Sequence, residues 1–337
     1  MRQTGLALIL VLWVLSLLTI MAGSFALSMR REASIVAGIR NNAQAMAVAE
    51  SGIALAEMML LNPDPNKRWR ADGNIYQINS RDAKVRVRLL SETGKIDINQ
   101  ADQTVLEGLM TYAPVDTEQQ TRLVNAILDW RDEDDLIRIE GAEKKEYTDA
   151  GLNYHPQNKP FQSIEELQLV LGMNETVFKW IEPLVTVYSG QKQVAMQEAT
   201  KEVLQVIPGL DMELVDAYIA ARLESAMNDL PVPPFPSISG QNVQSAINTP
   251  PVPSFPSSSG QNKPAGQNNV LTLVSEARMD DESSAVVSAV IKPSGQAQAA
   301  PFQVLKWEIA AADDRSLFSE AMSELLVKQY AESELND

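Results

Sequence analysis

Residues 1–29, MRQTGLALILVLWVLSLLTIMAGSFALSM, decide how this chain is built. From Gln3 to Met29 there is no charged side chain. A cleavable secretion signal has an apolar core of about 7 to 15 residues, whereas a helix needs roughly 20 to cross a bilayer. No small-residue cleavage boundary follows. Ala33, Ile35, Val36, Ile39, Ala43, Met46, Ala47, Ile53 and Ala54 instead continue the apolar pattern at helical spacing. The predicted helix stops only at Asn62-Pro63-Asp64-Pro65-Asn66, where two prolines and the restricted residues before them forbid continuation. From Leu6 to Leu61 this is a rod of about 80 Å, at 1.5 Å per residue. Arg2 lies before the apolar run and Arg30, Arg31 and Arg40 after it, so the positive-inside count does not favour a cytoplasmic N terminus.

With 337 residues, the chain has room for about two folded units beyond that helix. It has no cysteine, which excludes disulfides and thiolate metal sites. A net charge of -16 disfavours phosphate backbones and anionic lipid surfaces as partners.

Residues 74–90 alternate as a hairpin turning near Ser80-Arg81-Asp82, and Glu92 to Lys95 read as a turn. From Asn99 to about Met173 the periodicity is mainly helical, as it is again from Ala195 to Leu223. Pro183 precedes a short apolar piece suited to a strand. Residues 231–242 (PVPPFPSISGQN) and 251–262 (PVPSFPSSSGQN) repeat at a spacing of 20 and read as a flexible linker, too polar and proline-rich to order a core. Three strand-like runs follow: VLTLVSEARM from Val270, SSAVVSAVIK from Ser283 and FQVLKWEIA from Phe302. Residues 316–337 read as a terminal amphipathic helix or a loose acidic end.

Signals for catalysis are few. The one histidine, His155, lies in a loop rich in proline and asparagine, and phosphate-loop, dinucleotide, nucleophile-elbow and zinc-protease motifs are all missing. Residues 129–149, DWRDEDDLIRIEGAEKKEYTD, concentrate carboxylates that suit either a solvated acidic loop or a hard cation such as calcium. It is not an EF-hand, since Ile137 stands where that loop needs glycine. Two stretches read as helix-hairpin-helix units: residues 94–110 with their partner helix at 121–135, and residues 203–222 around Ile207-Pro208-Gly209-Leu210. Nucleic-acid-binding versions offer backbone N–H groups to a phosphate. Here Asp211 takes the second hairpin glycine's place, which favours a structural or protein-binding role over the alternative of a DNA-binding envelope protein.

In order along the chain, MRQTG, LALILVLWVLSLL, AVAESGIALA, GKIDINQAD, ILDWRDEDD, GAEKKEY, FQSIEELQLVLGM, IPGLD and FQVLKWE resemble the minor pseudopilin K family of the bacterial type II secretion system. The resemblance implies an α+β fold: a long pilin-like N-terminal helix on an antiparallel sheet, with a large inserted helical domain. It divides the chain into a leader (1–5), a spine helix (6–61), a first β segment (62–94), the inserted helical domain (95–200), a second helix-hairpin-helix element (201–230), the duplicated linker (231–269), C-terminal strands (270–315) and a tail (316–337). It implies cleavage by a prepilin peptidase between Gly5 and Leu6, methylation of Leu6, and single-pass residence in the inner membrane with the C-terminal region in the periplasm. Leu10 stands where most pilins carry a glutamate, as suits a tip subunit. The implied partners are the I and J minor pseudopilins, the major pseudopilin and the inner-membrane assembly platform. The implied role is non-enzymatic, the start of pseudopilus assembly in support of protein export. Calcium is the implied ion, with Asp132, Asp134, Asp135 and Glu143 as candidate ligands.

Overall fold

A computed structural model describes residues 4–236, 269–294, 300–310 and 316–331. Helix α1 runs unbroken from Thr4 to Leu60, 57 residues. It ends in a turn, where Leu61 N donates to the Met58 carbonyl at 3.1 Å, just before Pro63 removes the next donor. Its two halves differ. Leu8 to Ile39 expose their large apolar side chains, whereas Ala45, Ala49, Ile53, Ala56 and Met59 form a buried stripe at spacings of three and four.

That stripe packs on a six-stranded sheet of order β7-β6-β5-β2-β1-β8, built from β1 (Asp72–Asn79), β2 (Ala83–Ser91), β5 (Leu271–Met279), β6 (Ser284–Pro293), β7 (Phe302–Ala310) and β8 (Leu326–Ala331). Alternate side chains point at the helix: Val85, Val87 and Leu89 from β2, Leu273 and Ala277 from β5, and Val287, Ala289 and Ile291 from β6. Alanines on the helix bring it close to the strands. The helix backbone lies close against the strands at Gly52, where a Cβ would stand 2.9 Å from Val85 Cγ1 and still nearer to Ser275 Oγ.

The sheet differs from the expected one at its edge. Residues 326–331 form β8, which runs parallel to β1 with Gln77 opposite Gln329, where a terminal helix or loose end was expected. Among the described residues of the tail, helix is confined to α8 (Glu320–Ser323). Tertiary contacts hold this tail. The buried Glu276 carboxylate accepts from Ser316 Oγ at 2.7 Å and from Leu317 N, while Arg86 and Arg278 lie 4.6 and 4.5 Å from the Phe318 ring centre. No local sequence pattern carries that arrangement.

Strands β2 and β5 are neighbours in register, Ser91 opposite Leu271, and Glu92 N donates to the Val270 carbonyl at 2.9 Å. Everything between is therefore an insertion into one sheet. It holds a two-residue parallel pair, β3 (Ile96–Asp97) with β4 (Val185–Thr186), and helices α2 (Gln103–Thr111), α3 (Thr117–Arg131), α4 (Lys144–Asp149), α5 (Glu175–Ile181), α6 (Lys201–Val206) and α7 (Met212–Met227). Asp102, Asp116, Asn174, Thr200 and Asp211 cap α2, α3, α5, α6 and α7 through side-chain oxygens. One apolar core joins Leu106, Leu123, Ile127, Trp130, Leu167 and Ile181 to Leu204, Val215 and Tyr218, so α6 and α7 share the core of the segment before residue 200. At the root of the insertion the buried Glu92 carboxylate accepts from Lys95 Nζ at 2.6 Å, from Thr272 Oγ1 on β5 at 2.6 Å and from Thr186 Oγ1 on β4. The carboxylate thus clamps the two folded units together.

The expected linker begins as ordered chain. Residues 231–236 lie against the helical core through Phe235. The rest of the expected linker up to residue 268, including all of the second repeat, is outside the described residues.

Candidate functional site

The acidic site is made by the end of α3. Trp130 points into the core, its ring stacked on Phe161 with centroids 5.9 Å apart, which directs the neighbouring Asp129 away from solvent into the following loop. Fully buried, Asp129 accepts from Ala142 N at 2.9 Å, Arg138 N at 3.3 Å and Arg138 Nη1 at 2.7 Å. The same guanidinium nitrogen donates to Asp132 Oδ2. Gly141 is required here because a Cβ would run into the Asp129 carboxylate. Asn158 Nδ2 then donates at 2.9 Å both to the Asp134 carbonyl and to Asp135 Oδ1, and Asp134 Oδ1 accepts from Leu136 N at 2.8 Å.

The four candidate ligands thus separate. Asp132 and Glu143 face the inner side of the loop, while Asp134 and Asp135 are exposed and engaged in shaping it. Asp132 Oδ1 and Glu143 Oε1 are buried without a hydrogen-bond partner, the arrangement in which an oxygen-seeking cation relieves an unpaired charge. Arg138 already supplies positive charge to Asp129 and Asp132, and among the described residues no three His, Cys, Asp or Glu side chains gather closely enough to hold an ion. The four candidates are therefore not gathered into one cluster, and of them only Asp132 and Glu143 present a buried oxygen without a partner. Asp129 and Arg138, the two groups that organise the loop, were not among the candidates. Arg138 is the only cation within residues 132–143, and that was the signal available.

Burial first, and then repulsion from Asp129 and Asp132, push the Glu143 carboxyl up to about 7 from an ordinary value near 4.5. Because the folded state holds this proton more tightly, the group destabilises the fold as pH rises from about 4.5 to about 7. Glu143→Gln is expected to flatten the fall in stability over that interval. Equal slopes in urea titrations of the two proteins at successive pH values would contradict this.

Elsewhere, Gly5 and Leu6 lie in the first turn of α1, and Leu10 is 60% exposed on the bare half of that helix. By length and composition α1 is long and apolar enough to cross a membrane. In the second hairpin Asp211 Oδ1 accepts from Glu213 N at 2.9 Å, so a carboxylate of the chain occupies the helix start that a phosphate would need. His155 Nδ1 is paired with the Pro156 carbonyl at 2.8 Å.

Residues 74–190, which run from β1 through most of the inserted helices, match the family model described as type II secretion system (T2SS), protein K. Over that stretch the chain is similar to protein K of type II secretion systems. The type II secretion system protein K of Klebsiella pneumoniae is 24% identical over 205 residues, covering 55% of this chain and 62% of that protein. Protein K of Aeromonas hydrophila is 26% identical over 222 residues, 57% of this chain and 65% of the relative. That of Dickeya chrysanthemi is 34% identical over 83 residues, 25% and 22% of the two chains. The matches thus span less than two thirds of each of these relatives. Among solved structures, a chain of the GspK-GspI-GspJ complex from the enterotoxigenic Escherichia coli type 2 secretion system matches with a TM-score of 0.47 and 12% identity, over 84% of this chain and 99% of that one.

Proposed function

We propose that this chain is a minor pseudopilin of a type II secretion system, a structural subunit with no catalytic step of its own. A prepilin peptidase cuts between Gly5 and Leu6, Leu6 is methylated, and α1 passes once through the inner membrane with the remainder in the periplasm. The subunit joins the I and J minor pseudopilins at the pseudopilus tip, starts assembly on the inner-membrane platform ahead of the major pseudopilin, and so supports export of folded proteins. The supporting observation is the division of α1. One uninterrupted helix exposes an apolar half and seats the other half on the sheet, so the bare half can pass from lipid to neighbouring helices of equal polarity. Leu10 suits the tip, because a glutamate there, with no N-terminal amine beside it, would carry a buried charge at high cost.

The test is the mass and N-terminal sequence of the protein from cells with and without the peptidase, followed by co-purification with coexpressed I and J subunits. A chain starting at Leu6 only when the peptidase is present, and retained by I and J, is expected. Gly5→Ala is expected to leave the leader uncut and to reduce secretion at least tenfold. Secretion undiminished by an uncut leader would overturn the reading.

We also propose that calcium is held at Asp132 and Glu143. Binding it requires Glu143 to lose its proton, so affinity is expected to rise from pH 6 to pH 8. Millimolar calcium should raise the melting temperature of the wild type and leave that of Glu143→Gln nearly unmoved. The same melting temperature in calcium and in chelator would remove the ion from the account.

A further inference from the structure

The described part of the duplicated segment, residues 231–236, is seated as a ligand would be. In residues 231–236, PVPPFP, the Pro233 carbonyl accepts from Tyr218 Oη at 3.2 Å, and the Phe235 ring meets the Tyr218 ring edge-on with centroids 4.7 Å apart. Pro233 and Phe235 are half-buried, while Pro231, Val232, Pro234 and Pro236 are exposed. Tyr218 is itself 4% exposed. Arg222 lies 5.7 Å from its ring centre, fixed by bonds to the Ala199 and Asp72 carbonyls at 2.7 and 2.9 Å. These are the elements of polyproline recognition: a rigid aromatic wall, and a hydroxyl donor aimed at a carbonyl of a chain whose prolines offer no N–H.

The sequence carries a second copy of this ligand. Residues 251–256, PVPSFP, repeat 231–236 with one change, Ser254 for Pro234, and that change falls on a position exposed in the seated copy. The contact positions, Pro233 and Phe235, recur as Pro253 and Phe255. We propose that the Tyr218 face of α7 is a binding site for Pro-Val-Pro-x-Phe-Pro peptides, and that residues 251–256 are its second ligand, exchanging with 231–236 on the same chain. Exchange moves the anchor by 20 residues and shortens the connection to β5 from residues 237–270 to residues 257–270. The shorter connection still reaches up to about 45 Å, enough to cross a domain. The site thereby sets two tether lengths between the helical unit and the sheet.

The probe is a synthetic peptide, PVPSFP, carrying 4-fluorophenylalanine. Its fluorine resonance is followed as it is titrated to millimolar concentration against the full chain in detergent. In the wild type, Phe235→Ala and Phe255→Ala, a tethered copy at an effective concentration near millimolar competes with the peptide, so binding is expected to be weak and similar in all three. The double variant Phe235→Ala/Phe255→Ala is expected to bind at least tenfold tighter. Adding Tyr218→Phe, which removes only the hydroxyl, is expected to weaken that binding roughly two- to tenfold, the range for one hydrogen bond. If Phe235→Ala alone opens the site as fully as the double variant, residues 251–256 are not a ligand. If the double variant binds no peptide, the Tyr218 face is not a peptide site.

Discussion

Replacing Gly52 with leucine is expected to lift α1 off the sheet and to cost about 3 kcal/mol of stability, the upper end of the range for overpacking. The glycine sits against β2 and β5, and even one added carbon falls within 2.9 Å of Val85 Cγ1 and against Ser275 Oγ. Leucine adds three more carbons with no space to enter, and the Ala49, Ile53 and Ala56 contacts must open together because they share one rigid helix. Alanine at the same position is expected to be far milder. The helix gains about 1 kcal/mol when glycine becomes alanine, which offsets part of the clash. Urea unfolding of the detergent-solubilised chain distinguishes the two. Equal midpoints for Gly52→Leu and Gly52→Ala would show that close packing at this point does not fix the helix to the sheet.

The second large effect is expected from Asp129→Ala. The carboxylate accepts from two backbone N–H groups and from Arg138, and its removal leaves the two N–H groups without their acceptor and Arg138 with Asp132 alone. Breaking a buried ion pair from one side costs about 3 to 5 kcal/mol. Arg138 is 37% exposed and can regain water, so about 3 kcal/mol is the expected loss. Asp129→Asn keeps the shape and one acceptor, and is expected to lose about half as much. Limited trypsin digestion gives a local reading, since the loop carries Arg138 and is followed by Lys144 and Lys145. Faster cleavage at these residues in Asp129→Ala, ahead of global unfolding, is the expected result. Unchanged cleavage would mean that the loop is held by something other than Asp129.

These two sites also show where reading the sequence stops. The spine was legible because it depends on local facts: a charge-free run, continued helical spacing and a proline break. The strand pair around Ser80, the three later strands and both helix-hairpin-helix elements were legible for the same reason, since alternation, helical period and turn residues act over a few neighbours. The pairing of β8 with β1 was not. Residues 326–331, LVKQYA, carry too weak an alternation to announce a strand; they pair with β1, and the chain leading to them is held at Leu317 and Phe318 by Glu276, Arg86 and Arg278, some 40 to 230 positions away.

At the acidic loop the sequence supplied the carboxylates but not their division of labour. Composition cannot tell that Asp129 turns inward behind Trp130, that Asp134 and Asp135 are spent on loop bonds, or that Arg138 closes the cluster. Those outcomes depend on which oxygens are buried, a property of the packed chain. The repeat divides in the same way. Its proline content marked it as unable to form a core. Residues 231–236 are nevertheless ordered, because Tyr218 on a helix packed from distant sequence offers an aromatic wall and a donor.

By itself the sequence determined the elements whose causes are local: the apolar spine with its single break, the strand and helix periods and the acidic surplus. The tertiary structure decided which edge of the sheet the tail closes, which carboxylates remain unpaired and where the first proline-rich copy is seated. The physical reason is range. Backbone propensity and side-chain period act within one turn or one pleat, whereas burial, ion pairing and desolvation are set by neighbours that only folding brings together.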